Sequence, residues 1–164
     1  MRSLFLIRHA KSSWDNPGLR DFERPLNSRG QEDAPLMAQL LVRQGIQPEL
    51  IVSSPAKRAL ATARIFAAAF GITEDDIVSN TDIYEAGVAD MMRIISALPD
   101  TARVVLIFGH NPSYTTVANR FANHPIDNVP TCGIVQIESD AGAWNKLHEG
   151  NARVKACFFP KERL

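Results

Sequence analysis

Four side chains that could hold and transfer a phosphoryl group lie at the end of a short apolar run or at the helix start that follows one; they are Arg8, His9, Arg58 and His110. Two guanidinium groups can neutralise a dianionic phosphoryl group and offer paired donors to its oxygens. A neutral imidazole can attack phosphorus and form a covalent phosphohistidine, and His9 is the candidate for that role. A second, protonated imidazole at His110 could hydrogen-bond the oxygens as charge develops on them. The pattern therefore indicates phosphoryl transfer at a local anion site.

Each of these fragments is weak evidence when it is taken alone. An Arg-His pair after a strand is commonly ordinary surface sequence, and Ser-Pro-x-x-Arg is a common helix start. His9 and His110 could instead bind zinc, but no Cys, Glu or third His lies at ligand spacing, so we expect no metal site and no cofactor. His124 and His148 have no such neighbours and are interpreted as surface or loop residues.

The elements that must position these side chains alternate between strand and helix. Short apolar runs predict buried strands at Ser3–Arg8, Leu50–Ser53 and Val104–Phe108. Helical spacing and capping residues predict four helices. The first runs from a capping box of Ser28 and Gln31 to Gly45, and the second from N-cap Ser54 and Pro55 to Gly71. The third covers Ala89–Leu98, and the fourth runs from Asn111 and Pro112 to Phe121. Alternating patterns predict antiparallel or edge strands at Ile134–Glu138, Trp144–Leu147 and Val154–Phe159.

This order predicts an α/β fold of three layers, with a mainly parallel central sheet, helices on both faces and antiparallel C-terminal strands. In such a sheet the carboxyl ends of the strands face one crevice, and helix N-termini add N–H donors there. Residues about fifty positions apart can thus converge on one anion.

Composition limits the classes of protein and partner. The 164 residues are 45% hydrophobic and 22% charged, which fits one globular domain over 1–164. Eighteen basic and eighteen acidic residues give a formal net charge of zero, which argues against nucleic acid or an anionic membrane as a partner. Two cysteines are too few for a disulfide framework. The apolar run after Arg2 is too short for a signal peptide, so we expect a cytoplasmic protein.

The sequence resembles the histidine phosphatase superfamily, also called phosphoglycerate mutase-like. The resemblance rests on four motifs in the family's order: Leu-Ile-Arg-His-Ala at 6–10, Arg-Pro-Leu-Asn-Ser-Arg-Gly at 24–30, Val-Ser-Ser-Pro-Ala-Lys-Arg at 52–58 and Phe-Gly-His-Asn at 108–111. It implies a phosphoglycerate mutase-like fold. It also implies His9 as phospho-acceptor, with Arg8, Arg58 and His110 as the phosphate pocket.

The chain departs from the family's pattern immediately after His9. Ala10 stands where the family usually has Gly, which is acceptable unless that backbone needs a positive φ. Asp15 falls near the family's phosphate-binding Asn, and an ionised carboxylate there would repel phosphate. Asn16, Ser12 or backbone N–H groups could replace that contact, and Asn16 is our candidate phosphate ligand.

A general acid and a substrate class complete the interpretation. The family takes an acid from the loop before the third helix, which makes Glu85 the candidate; a solvated loop carboxylate is the alternative. In its size and its Arg-His-Ala-Lys-Ser-Ser-Trp opening, the chain resembles compact SixA-type phosphohistidine phosphatases, whose open pocket needs no lid. This resemblance implies a phosphohistidine on a histidine phosphotransfer domain as the substrate. One alternative is a small phosphorylated metabolite as substrate, and another is a non-catalytic module that binds phosphoproteins. A mutase is disfavoured because an open pocket would lose the phosphorylated intermediate to water.

Overall fold

The computed structural model describes residues 1–161 and contains one six-stranded sheet. The strands are β1 Arg2–Arg8, β2 Leu50–Ser53, β3 Val78–Ser79, β4 Val104–Gly109, β5 Ile134–Ser139 and β6 Ala152–Phe158. The α-helices are α1 Ser28–Arg43, α2 Lys57–Ala69, α3 Val88–Ser96 and α4 Ser113–Phe121. Short 3-10 turns lie at Asp21–Glu23, Glu74–Asp76, Thr81–Ile83 and Trp144–Lys146. Within 1–161 no helix is both long enough and apolar enough to cross a membrane.

The sheet has the order β3-β2-β4-β1-β5-β6. The first four strands in that order run parallel, whereas β5 is antiparallel to β1 and β6 is antiparallel to β5. This arrangement confirms the prediction of a mainly parallel α/β sheet with antiparallel C-terminal strands.

Both faces of the sheet are covered, which explains why the central strands are continuously apolar. In β1, Phe5 and Ile7 pack with α1 and α2, whereas Leu4 and Leu6 pack with α3 and α4. The two faces therefore carry separate hydrophobic cores, with Leu41 and Phe66 in the first and Met91 in the second. The helices form the two outer layers of the predicted three-layer fold.

Several predicted element boundaries were wrong. Asn27, rather than Ser28, caps α1, because its side chain accepts a hydrogen bond from the Gly30 N–H at 2.9 Å. Pro35 lies within α1, and Gly45 follows its end with a φ of 77°, as the prediction of a glycine stop requires. Helix α3 begins one residue and ends two residues earlier than predicted.

Helices α2 and α4 each begin later than the Ser-Pro and Asn-Pro patterns predicted. The Ser54 hydroxyl accepts a bond from the Ala56 N–H at 3.2 Å, and the helix proper starts at Lys57. The residues between Ser53 and Lys57 form a turn at the crevice instead. Helix α4 likewise starts at Ser113, and the side-chain oxygen of Asn111 accepts a hydrogen bond from the Thr115 N–H.

The prediction of a strand over Trp144–Leu147 was wrong. Residues Trp144–Lys146 form a 3-10 turn, and the Trp144 indole is buried and donates to the Ala102 carbonyl at 2.8 Å. The alternating pattern arose because this turn buries Trp144 and Leu147 while Asn145 and Lys146 face solvent. A buried anchor in a turn and an edge strand give the same short pattern, which is why the sequence did not separate them.

The register of the parallel strands places the predicted site residues side by side. Arg8, the last residue of β1, pairs with Gly109, the last residue of β4. His9 and His110 therefore leave neighbouring strand ends. Ser53 pairs with Phe108, which brings Ser54 to the same edge, and the Ser54 N–H donates to the Phe108 carbonyl at 2.9 Å.

Candidate active site

His9 lies at the carboxyl end of β1 with its imidazole orientation fixed by the backbone. Its Nδ1 is 2.7 Å from the carbonyl oxygen of Ala10. Because a carbonyl can only accept, Nδ1 carries the proton and Nε2 keeps its lone pair. That Nε2 is 3.4 Å from Nε of Arg58 and faces the crevice at the strand ends. The Nε2 lone pair, which would attack phosphorus, is thus free of a proton and accepts only this long contact from the Arg58 Nε–H.

Burial keeps the His9 ring neutral. Only 7% of the residue is exposed, and this desolvation, together with the nearby His110, Arg58 and Arg8, lowers the pKa of His9 to about 3. The hydrogen bond to Ala10 opposes the shift but does not reverse it. At neutral pH the imidazole is therefore unprotonated, which is the state a nucleophile needs.

Ala10 takes the place of glycine without strain. It is fully buried, its φ is negative, and its N–H donates to the Thr62 hydroxyl at 3.0 Å. Thr62 in turn donates to the Arg58 carbonyl at 2.8 Å, which ties the segment after β1 to helix α2. The expectation that alanine is acceptable at this position is confirmed.

Arg58 lies in the first turn of α2 with its side chain buried against His9. Its Nη1 donates to the backbone carbonyl of Asp21 at 2.7 Å, and its Nη2 donates to the Asp21 carboxylate at 3.0 Å. The end of the guanidinium is therefore held by Asp21, while Nε is turned toward His9.

His110 follows β4 and faces His9 across the crevice. The two ring centroids are 5.3 Å apart, and His110 Nε2 is 2.8 Å from the Ser54 hydroxyl. Burial is the main cause that lowers the pKa of His110 to about 4, and Arg58 adds to it. The Tyr84 ring packs edge-to-face with the same imidazole, with centroids 5.6 Å apart.

Arg8 completes the cluster from the end of β1. Its Nη1 donates to the Val129 carbonyl at 3.0 Å, and burial and Arg58 lower the pKa of its guanidinium. Two buried side-chain nitrogens in the described part of the chain lack a hydrogen-bond partner, Arg8 Nε and His110 Nδ1, and both belong to this cluster. Unsatisfied buried polar groups are costly, so a ligand with several acceptor oxygens fits here.

The structure thus brings together Arg8, His9, Arg58 and His110, which the sequence predicted as one site. Glu85 lies outside this cluster: it is exposed, its φ is 62°, and it lines a neighbouring groove with a volume of about 790 Å³. Its neighbour Tyr84 provides the link to the site through His110. Glu85 as general acid stays a prediction.

Asn16 as a phosphate ligand also stays a prediction. The residue is exposed, and its side-chain oxygen accepts a bond from the Gly18 N–H at 3.1 Å within its own turn. Asp15 is likewise exposed, and its N–H donates to the Ser13 hydroxyl at 3.0 Å. No contact observed in residues 1–161 joins either side chain to His9 or Arg58, because this loop turns back on itself.

Sequence reasoning missed Asp21 and Tyr84 and gave Ser54 only a capping role. Asp21 bonds Arg58, Arg24 and the Tyr84 hydroxyl, the last at 2.7 Å. No motif marks Asp21; its only signal is an acidic residue between Arg20 and Arg24. Within residues 1–161 no group of three or more His, Cys, Asp or Glu side chains could hold a metal ion.

Two curated proteins are similar to this chain in sequence. An uncharacterised chloroplastic protein of Arabidopsis thaliana is 32% identical over 154 residues, which are 88% of this chain and 70% of that protein. Phosphoserine phosphatase 1 of Hydrogenobacter thermophilus is 39% identical over 83 residues, 48% of this chain and 38% of that protein.

The structural match extends over nearly the whole chain. A crystal structure from Agrobacterium tumefaciens, assigned as the phosphohistidine phosphatase SixA, superposes with a TM-score of 0.80 at 29% identity, covering 98% of this chain and 99% of that one. The family model of the histidine phosphatase superfamily, branch 1, matches residues 4–92, which include His9 and Arg58. On this match, and on a fold shared from end to end with a SixA-type structure, the chain belongs to the histidine phosphatase superfamily.

Proposed function

We propose that this protein is a phosphatase that works through a covalent phosphohistidine on His9, with a protein phosphohistidine as its preferred substrate. The observation that carries the proposal is the hydrogen bond from His9 Nδ1 to the Ala10 carbonyl, which leaves Nε2 as a neutral nucleophile beside two guanidinium groups. Family membership supports the same chemistry.

In the first step, His9 Nε2 attacks phosphorus as the bond to the substrate's imidazole nitrogen breaks, and the substrate ring, protonated on its other nitrogen, leaves as neutral imidazole. Arg8 and Arg58 neutralise the phosphoryl charge, and His110 supports the oxygens through the Nδ1 that has no protein partner. The approach of a dianion raises the pKa of His110, which favours its donor form. In the second step, water attacks the phosphohistidine, releases inorganic phosphate and restores neutral His9.

The position of Glu85 favours phosphohistidine over a phosphate ester. An alkoxide leaves poorly without an acid, whereas the imidazole of a phosphoramidate leaves readily once protonated. Glu85 is exposed in the neighbouring groove, and Asp21, the carboxylate in contact with the cluster, is bonded to Arg58 and Arg24. A labile donor needs less help from such a group.

A small-molecule phosphomonoesterase is the second candidate, favoured by the partial similarity to a phosphoserine phosphatase. The two substrate classes can be separated with the Glu85→Gln variant. Loss of ester hydrolysis with retained cleavage of phosphohistidine would support Glu85 as the acid for esters and a phosphoramidate as the natural donor. Asp82→Asn serves as a matched control, since Asp82 is an exposed carboxylate of the same loop.

The proposal is tested by a substrate panel run on purified protein. It compares phosphorylated histidine phosphotransfer domains with sugar phosphates, phosphoglycerates and an aryl phosphate. The expected result is fastest turnover of the phosphohistidine proteins, together with an acid-labile phosphoryl adduct on the enzyme by mass spectrometry. An adduct that still forms in His9→Ala would overturn the assignment of the nucleophile.

We further propose a cytoplasmic location and metal-independent catalysis. Cys132 is buried and Cys157 exposed, and both are free thiols, as in proteins of reducing compartments. The zero net charge gives no general attraction to nucleic acid or to anionic lipid, so recognition has to rest on the local site.

A further inference from the structure

Asp21 is the one carboxylate that the structure places in direct contact with the four-residue cluster described above, within residues 1–161. It reaches the site from the 3-10 turn Asp21–Glu23, far in sequence from Arg58. Its carboxylate accepts from Arg58 Nη2 at 3.0 Å, and its backbone carbonyl accepts from Arg58 Nη1 at 2.7 Å. The contact is therefore bidentate and engages the far end of the guanidinium.

This contact decides which edge of Arg58 faces the nucleophile. A guanidinium offers donors in a rigid planar fork, so fixing Nη1 and Nη2 on one side also fixes Nε. Nε is directed at His9 Nε2, 3.4 Å away. Asp21 thus takes one N–H from each of the two Nη atoms, and the Nε–H, which makes only this long contact with His9, is the donor placed to bond an oxygen on phosphorus.

Asp21 is itself braced from two further sides. Arg24 donates to its second carboxylate oxygen at 3.1 Å, and Arg24 in turn lies over the Trp14 ring, 3.2 Å from its centroid. The Tyr84 hydroxyl donates to Asp21 at 2.7 Å, and the Tyr84 ring packs edge-to-face with His110. The Asp21 carboxylate therefore contacts both Arg58 and Tyr84, the residue whose ring packs on His110.

We infer that Asp21 is a positioning residue that presents the Nε edge of Arg58 to the phosphoryl group and braces His110 through Tyr84. This inference rests on the proposed function, because it assigns Arg58 to an oxyanion. A carboxylate this close to an anion site would by charge alone weaken anion binding. Because Asp21 nonetheless holds both Nη atoms of Arg58, we take the orientation that it imposes to outweigh this repulsion.

The two effects of Asp21 have opposite signs, which gives a sharp test with Asp21→Asn. The probe is tungstate, a tetrahedral oxyanion, titrated calorimetrically into the whole chain. If Asp21 positions Arg58, the variant binds tungstate more weakly and its kcat falls by about tenfold to a hundredfold, the scale expected for misplacing a catalytic group by about 1 Å. If Asp21 acts only as a nearby negative charge, the variant binds tungstate equally well or more tightly, and the inference is overturned.

The controls separate failure of this inference from failure of the proposed function. Glu23→Gln changes a carboxylate of the same turn whose side chain bonds Arg20 instead, and it should leave both tungstate binding and kcat unchanged. Tyr84→Phe removes only the hydroxyl that donates to Asp21 and should give a smaller loss in kcat than Asp21→Asn. If the unaltered protein binds no tungstate and turns over no phosphoryl substrate, the proposed function itself fails.

A measurement on the unaltered protein keeps the inference testable even if Asp21→Asn does not fold. Nuclear magnetic resonance of the arginine side chains reports rotation of each guanidinium. We expect Arg58 to show slow rotation and a protected Nε–H, unlike the exposed Arg64 of the same helix. A freely rotating Arg58 guanidinium would contradict the inference.

Discussion

At the scale of single residues, the protonation of one imidazole determines what the site can do. His9 donates from Nδ1 to a backbone carbonyl, and its low pKa keeps Nε2 unprotonated at neutral pH. The flanking cations could not be tolerated at this spacing if His9 were charged as well. The same burial that activates the nucleophile therefore also makes the site sensitive to acid.

Replacing Arg58 with lysine should lower kcat/KM by about a hundredfold or more, the range seen when a donor to a developing oxyanion is removed. A lysine has one nitrogen and cannot both face His9 and bond Asp21, as the guanidinium does. Steady-state kinetics with a phosphorylated substrate measure the loss. Arg64→Lys, on the exposed side of the same helix, is the control and should retain full activity. Unaltered kinetics in Arg58→Lys would exclude the proposed role of the Arg58 guanidinium as a group that contacts His9 and Asp21 at once.

Stability should fall as the pH drops below about 6.5. Burial lowers the pKa of His9 to about 3 and of His110 to about 4, so between those values and 6.5 the unfolded chain takes up protons that the folded chain does not. Above pH 6.5 both states are neutral and the effect vanishes. Well inside the window, each histidine should cost about 1.4 kcal/mol of unfolding free energy per pH unit.

Urea unfolding at about pH 4 to 8 checks this prediction, because this range includes the ordinary histidine pKa of about 6.5. His9→Gln should show a shallower decline than the unaltered protein by about the slope of one histidine. His124→Gln, which changes an exposed histidine, should keep the original slope. Identical slopes in His9→Gln and the unaltered protein would refute the burial argument.

At the scale of elements, the ends of β1, β2 and β4 build the site. Parallel pairing puts Arg8 opposite Gly109, so each strand delivers one histidine to the same edge. Position 109 has no room for a side chain because the Tyr114 ring lies against it: a Cβ at this position would be 2.5 Å from the Tyr114 hydroxyl. Tyr114 is fully buried and cannot move aside.

Gly109→Ala should therefore destabilise the fold by about 1–3 kcal/mol, as overpacking of a core does, and displace His110. Urea unfolding and kcat are the two measurements. Gly142→Ala is the matched control, since a Cβ there would meet no heavy atom within 4 Å, and it should change neither value. A Gly109→Ala variant as stable and active as the original would show that the close packing is not limiting.

At the scale of the whole molecule, one twisted sheet separates two cores, and the site lies where the chain crosses between them. Helices α1 and α2 cover one face, and α3 and α4 cover the other. Between β1 and β2 the chain passes over the position that β4 later fills. Helix α1, which follows β1, and helix α4, which follows the neighbouring β4, therefore cover opposite faces, and such a divergence opens a crevice at the carboxyl edge, where ligands bind in open α/β sheets.

The whole protein should also work without a metal ion, because positive charge at the phosphoryl group is supplied by Arg8 and Arg58. We expect turnover of a phosphorylated substrate to be unchanged by EDTA at a concentration in large excess over the protein. Loss of activity that one divalent ion restores would contradict this prediction. Activity measured after passage through a chelating resin provides the control for incomplete removal.

The sequence by itself determined the alternation of strands and helices, the cluster of Arg8, His9, Arg58 and His110, and the family. These features are local: an apolar run specifies a strand, and the residue after it stands at the strand end. The sequence did not determine the turn at Trp144 or the late start of α2, because a short pattern is shared by several local structures.

Only the tertiary structure decided the role of Asp21 and the surroundings of Glu85. Asp21 meets Arg58 because two segments of the chain that are separated in sequence fold against each other, and no spacing rule predicts that contact. The protonated nitrogen of His9 was also decided by folding, since it depends on which carbonyl lies 2.7 Å away. Residue identity specifies the available chemistry, whereas orientation and pKa arise from neighbours that packing alone supplies.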